Sequence, residues 1–142
     1  MTSDAALIEA SLLRLAERGI ELRHGLYERF FAAYPARRAD FLCPEATSIR
    51  MTDETLQMMH GLATDESWVW PLVAELSYTH RAYGRLPFAE YEAFVDLTVA
   101  EMAEALGDDW SEAQAEAWGR QAARLKGMIA KAQTEWDVVL PR

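Results

Sequence analysis

A single cysteine, Cys43, is all the thiol chemistry this chain carries. It excludes an internal disulfide and leaves no second thiolate for a zinc or iron–sulfur site, so Cys43 reads as a bystander. Long apolar runs are missing too: no segment approaches the roughly 18 uninterrupted apolar residues of a membrane span. The opening MTSDAALIEASLL lacks the basic region, long apolar core and small-residue cleavage site of a secretory signal. A soluble cytoplasmic protein with no membrane contact is therefore expected. Positive charge is scarce, with 14 Lys and Arg against 23 Asp and Glu and a net charge of -9. The arginines are scattered and form no stripe, and such a surface repels phosphate backbones, so nucleic acid is excluded as a partner. Alternating or β-branched runs of strand length, internal repeats and low-complexity tracts are absent as well.

What remains is apolar and helically spaced. The 142 residues are 51% hydrophobic, enough to bury the core of one domain spanning 1–142. Apolar residues recur at three- and four-residue steps nearly everywhere, which predicts an all-α fold. A first helix over about 4–18 aligns Ile8, Leu12 and Leu15 before Gly19. A second stacks Leu26, Tyr27, Phe30 and Phe31 until Pro35 turns the chain, with a short turn reaching Phe41. FLCPEATSIR reads as a loop, and Thr52, followed by Asp53 and Glu54, as the start of the next helix, with Met51 stapled against Leu56. That helix is expected to reach about Ala63. A further helix contains Pro71 and continues past His80 to Gly84, and Pro87 opens another that buries Tyr91, Phe94, Val95, Thr98, Met102 and Leu106 as far as Gly107. Ser111 to Gln114 matches a capping box for a last helix burying Trp118, Ala122, Leu125, Met128 and Ile129. The core is expected over about 5–132, with 133–142 a loosely held tail.

His80 is the residue with the most chemistry to offer. It ends an apolar helical face made by Leu72 and Leu76, and a neutral imidazole aimed into an apolar pocket is a ligand for iron. Tyr27, Phe41 and Met51 lie upstream at intervals that place them across the same pocket. The plainer alternative is a partly buried His satisfied by a backbone carbonyl. His24 and His60 have no such setting: His24 reads as part of a solvated face and His60 as surface or rim.

The order of these features, with the phrase LYERFF followed by a Pro and then Phe41, and with EAWGRQ around Trp118, resembles the globin family over about residues 5–132. It is most similar to bacterial single-domain globins and to the haem domain of flavohaemoglobins. The resemblance implies a globin-like 3-over-3 helical sandwich, a haem cofactor, and His80 as the proximal iron ligand. It implies Tyr27 as a distal hydroxyl donor to a bound gas and Phe41 as the ring that packs on the porphyrin. Leu76, Tyr83, Tyr91 and Phe94 complete the expected haem contacts. On the distal helix Met51 takes the usual polar position, with Thr55 one turn further in; a longer loop would bring Glu54 and Met58 there instead. Tyr91 matches a Tyr that orients the proximal His, but the Glu completing that network is replaced by Gln133, with Glu135 on another face, so strong peroxidase-like activity is not implied. The implied ligands are oxygen, nitric oxide or carbon monoxide, and nitric oxide dioxygenase chemistry would need a separate reductase. Trp68 and Trp70 match no haem motif and either pack on the closing helix or form an interface, which leaves a homodimer open. Two rivals remain: a non-haem globin-fold sensor or interaction module whose pocket is filled by the Met-rich segment TDETLQMMHG and aromatic side chains, and an unrelated helical bundle.

Overall fold

The computed structural model describes residues 2–140, and among these it is helical throughout, with no strand. Six α-helices follow in order: α1 (Asp4–Glu17), α2 (Arg23–Ala33), α3 (Pro44–Ala63), α4 (Val69–Thr79), α5 (Phe88–Leu106) and α6 (Glu112–Val139). Short 3-10 turns cover Pro35–Asp40, His80–Tyr83 and Gly107–Asp109. Local chemistry sets many of the boundaries. Ser3 caps α1 by accepting from the Ala6 N–H at 3.2 Å. At α6 the capping box forms: Ser111 Oγ accepts from the Gln114 N–H at 3.1 Å, and the Ser111 N–H donates to Gln114 Oε1 at 2.7 Å. Gln114 Nε2 then donates to Ser11 Oγ at 3.0 Å, which pins the start of α6 onto α1.

Two boundaries differ from expectation. FLCPEATSIR is not a loop, because α3 begins at Pro44, whose missing N–H is harmless at a first helical position. Thr52 is therefore no cap; it is buried in mid-helix, and Met51 packs against the aromatic cluster of α2 and α5 where a staple on Leu56 was expected. The expected loose tail is also helical as far as Val139. Trp136 Nε1 donates to the Ala74 carbonyl at 2.8 Å and Asp137 accepts from Arg81 at 3.2 Å, so α4 and the turn after it hold the end of α6 in place. Residues 141–142 of that tail lie outside the described residues.

The long helix α6 is the spine. It packs against α1, α3, α4 and α5, while α2 lies on α5. Trp118, Ile8, Met59, Met102, Leu106 and Leu125 are fully buried along these contacts. A second cluster, rich in aromatic rings, joins Leu26, Tyr27, Phe30 and Phe31 of α2 to Phe94 of α5. Trp68 packs over α3 and Trp70 lies under Lys131 of α6, whose Nζ is 4.5 Å from the ring centre.

The close approach of Trp68 and Val69 to α3 requires Gly61. A Cβ there would sit 2.7 Å from Val69 Cγ2 and 2.8 Å from Trp68 Cζ2, and Val69 is fully buried. Alanine favours a helix over glycine by up to about 1 kcal/mol, but the overlap outweighs that gain. Gly61→Ala is expected to destabilise the fold by roughly 1–3 kcal/mol, read as a lower urea midpoint. An unchanged or higher midpoint would show that the two side chains move aside freely.

Candidate functional site

A cavity of about 520 Å³ opens between α3, α4, α5 and α6, beside the 3-10 turn Pro35–Asp40. That volume lies within the roughly 300–1,000 Å³ of small-molecule pockets. One face of α3 reaches it through Thr47, Met51, Thr55 and Met58, spaced at three- and four-residue steps. Leu76 and His80 border it from α4 and the turn that follows, and Tyr91 and Phe94 from α5. The walls are mainly apolar.

His80 sits where α4 tightens into the 3-10 turn, which Gly84 closes at φ 93°, a left-handed conformation that favours glycine. The His80 Nδ1 is 2.7 Å from the Leu76 carbonyl oxygen. A carbonyl only accepts, so in the neutral ring Nδ1 carries the proton and Nε2 keeps its lone pair. The backbone bond and the ligand role are thus compatible: the first fixes the tautomer that the second requires.

Tyr91 packs its ring against the imidazole, with centroids 5.7 Å apart and planes at 61°. Burial, reinforced by the Glu90 carboxylate and partly offset by Arg37, pushes its phenol up to about 12, so it stays protonated and able to donate. Gln133 does not extend this group toward His80; its Nε2 donates to the Leu86 carbonyl at 3.0 Å. Glu135 lies 4.0 Å from Lys131 on an exposed face of α6. Tyr83 borders the cavity but is 52% exposed, its ring 6.5 Å from that of His80.

The alternatives left open on α3 turn out not to exclude one another. Because α3 starts at Pro44, Met51, Glu54, Thr55 and Met58 all border the cavity. Thr55 donates its hydroxyl to the Met51 carbonyl at 2.7 Å, so its proton is engaged within the helix. Glu54 accepts from Arg50 at 3.0 Å at the rim. Thioethers and methyl groups dominate this wall.

Tyr27 is not on the wall. Its ring is held among Phe31, Phe41 and Phe94 at centroid distances of 5.5–5.6 Å, one layer behind the Phe41 and Phe94 that border the cavity. The packing of α2 on α5 draws it into that cluster. Burial raises its phenol well above the ordinary range; the nearby Thr52 hydroxyl opposes this slightly, yet neither oxygen has a well-formed hydrogen bond. Removing an unsatisfied buried hydroxyl sacrifices no bond, so Tyr27→Phe is expected to leave stability unchanged or raise it by up to about 1 kcal/mol. A clear loss in thermal unfolding would reveal a partner for that oxygen.

Several wall residues escaped the sequence reading. Phe30 was read as core, as were Leu125 and Ile129 of α6, and all three border the cavity. Leu42, 92% exposed, and Cys43 lie at its mouth, inside the segment read as a loop. At the rim Arg37 binds Glu90 in a two-pronged pair, Nε to Oε1 at 3.0 Å and an Nη to Oε2 at 2.8 Å, which ties the 3-10 turn to α5. His60 meets Glu9 at 3.0 Å and His24 meets Glu21 at 3.3 Å, both away from the cavity.

Among the described residues no group of three or more His, Cys, Asp or Glu side chains could hold a metal ion. A lone imidazole on an apolar cavity suits a metal that brings its other ligands in a macrocycle. No helix among the described residues is long and apolar enough to cross a membrane. The chain matches no model of a known protein family, and comparison with curated proteins finds no significant match.

Proposed function

We propose that the chain is a haem-binding globin in which His80 Nε2 is the proximal ligand and the cavity admits a diatomic gas. The helices are read as a 3-over-3 sandwich, with α1, α3 and α4 over α2, α5 and α6. Contacts of α3 with α1 and α4 within one trio, of α5 with α2 and α6 within the other, and of α6 with α1, α3 and α4 across them support this. The observation that carries the functional reading is His80, with Nδ1 fixed by the Leu76 carbonyl at 2.7 Å, on the wall of a cavity of about 520 Å³.

Haem held here by His80 would supply an iron able to take oxygen, nitric oxide or carbon monoxide. The protein's part is to orient and exclude. Leu76 fixes the imidazole tautomer, Tyr91 packs against its ring, and Phe94 and Phe41 offer flat apolar surface to a planar ligand. Met51 and Met58 keep water from the opposite wall without donating a hydrogen bond. At the rim Arg37 and Arg50 are already paired with Glu90 and Glu54, so the carboxylates of a porphyrin edge would compete with those partners for them. Turnover of nitric oxide would need electrons from a separate reductase. The size of the cavity weighs against a non-haem module whose interior is filled by its own side chains.

Hemin titration of the purified protein tests this. One equivalent is expected to give a saturable Soret band. Protein that stays colourless through the titration would remove haem from the reading and favour the non-haem module.

A further inference from the structure

Between the end of α4, the turn that follows it, α5 and α6 lies a second, much smaller chamber of about 20 Å³, lined by Ser77, Arg81, Tyr91, Gln133 and Asp137 among others. Its lining carries a larger share of polar groups than the large cavity does, and Leu86 and Tyr91 border both. Ser77 is only 4% exposed, and its hydroxyl has no hydrogen-bond partner in the protein. Thr52 shares this lack, but most buried hydroxyls on these helices are satisfied locally. Ser11, Thr55 and Thr98 each donate to the carbonyl four residues back, at 3.0, 2.7 and 2.8 Å, whereas Ser77 on α4 does not.

The other polar groups around the chamber are partly satisfied in a way that leaves complementary positions. Gln133 donates its Nε2 to Leu86, which leaves its amide oxygen as an acceptor. The Tyr91 phenol stays protonated, as described above. Asp137 is held on both oxygens, by Arg81 at 3.2 Å and by Arg85, and Arg81 also donates to the Leu140 carbonyl at 3.0 Å. A space of this size accommodates one water-sized probe, and a buried water needs roughly 2–4 polar partners. Ser77, Tyr91 and Gln133 supply that number.

We propose that this chamber is a binding site for a single structural water, which bridges Ser77 of α4 to Tyr91 of α5 and Gln133 of α6. Ser77 lies three residues before His80 and next to Leu76, whose carbonyl fixes the ring, so the water secures the segment that sets the imidazole's position. The proposal does not depend on haem and is tested on the protein without added ligand.

The experiment pairs a high-resolution crystal structure with thermal unfolding of Ser77→Ala. A bridging water gives a well-ordered density peak within about 3 Å of Ser77 Oγ. Ser77→Ala then loses a satisfied hydrogen bond and melts lower, by roughly 2–4 °C for a chain of this size. In a dry chamber the same substitution removes an unsatisfied hydroxyl, so an unchanged or higher melting temperature, with no density in the chamber, overturns the proposal. An anomalous peak marking a chloride between Arg81 and Arg85 would overturn it equally.

Discussion

Replacing His80 with glycine is expected to lower affinity for hemin by more than roughly 100-fold, and added imidazole is expected to restore the spectrum. Loss of a group that only orients a metal ligand lowers affinity by about 10–100-fold, so loss of the ligand itself should exceed that. Glycine leaves room for exogenous imidazole in the space vacated by the side chain. Two features make the prediction specific to this residue. The Leu76 carbonyl, 2.7 Å from Nδ1, fixes the tautomer that frees Nε2, and neither His24 nor His60 borders the cavity. Comparing hemin titrations of wild type, His80→Gly, and His80→Gly with imidazole checks it. Equal affinity in wild type and variant would take His80 out of the axial role.

Trp118→Ala is expected to be the most damaging single substitution for stability, at roughly 3–5 kcal/mol. Trp118 is fully buried on α6, in the same core cluster as Ile8, Met102 and Leu125. Alanine there removes an entire indole from the spine that α1, α3, α4 and α5 share. Against a total stability on the order of 5–15 kcal/mol, such a loss lowers the melting temperature by about 10–20 °C. Trp118→Phe separates volume from polarity. It keeps most of the packing and removes an indole N–H that has no partner, so its effect should stay below about 1.5 kcal/mol. Circular-dichroism melts of both variants measure the difference. Equal melting temperatures for the two would mean that the core closes over the missing ring.

Features governed by neighbours in sequence were legible before the structure. The capping box of Ser111 and Gln114, the entry at Pro87, the stops at Gly84 and Gly107, and the buried face from Phe94 to Leu106 all follow from chemistry within one or two turns. Misread features depend on residues far away. Thr52-Asp53-Glu54 has the composition of a helix start, but Pro44 offers an earlier one, and burial against the α2 cluster favours it. The segment TEWDVVL looked unsupported because its partners lie more than 50 residues earlier, at Ala74, Arg81 and Arg85. Charge behaves alike. No Lys or Arg occurs between Arg85 and Arg120, yet Glu90, Glu101 and Glu104 of α5 are met by Arg37 and Arg29, and Asp96 by Lys126.

At the site, the sequence pointed to a cluster, and Phe41, Met51, Thr55, Leu76, His80, Tyr83, Tyr91 and Phe94 do border one cavity. Tyr27 lies one layer further back, because helical spacing shows which face a residue occupies but not how deep it lies. Phe41, arriving from the next turn, stands between it and the opening. The α3 wall therefore presents the Met51 and Met58 thioethers, with the Thr55 hydroxyl already engaged within the helix.

The most direct measurement is the absorption spectrum of hemin-loaded, reduced protein before and after carbon monoxide. A Soret band that moves and sharpens as the gas is added, and that fails to form in His80→Gly, is the predicted result. Protein that takes up no pigment, or pigment whose bands ignore carbon monoxide, would contradict the assignment of His80 and the cavity to haem and gas.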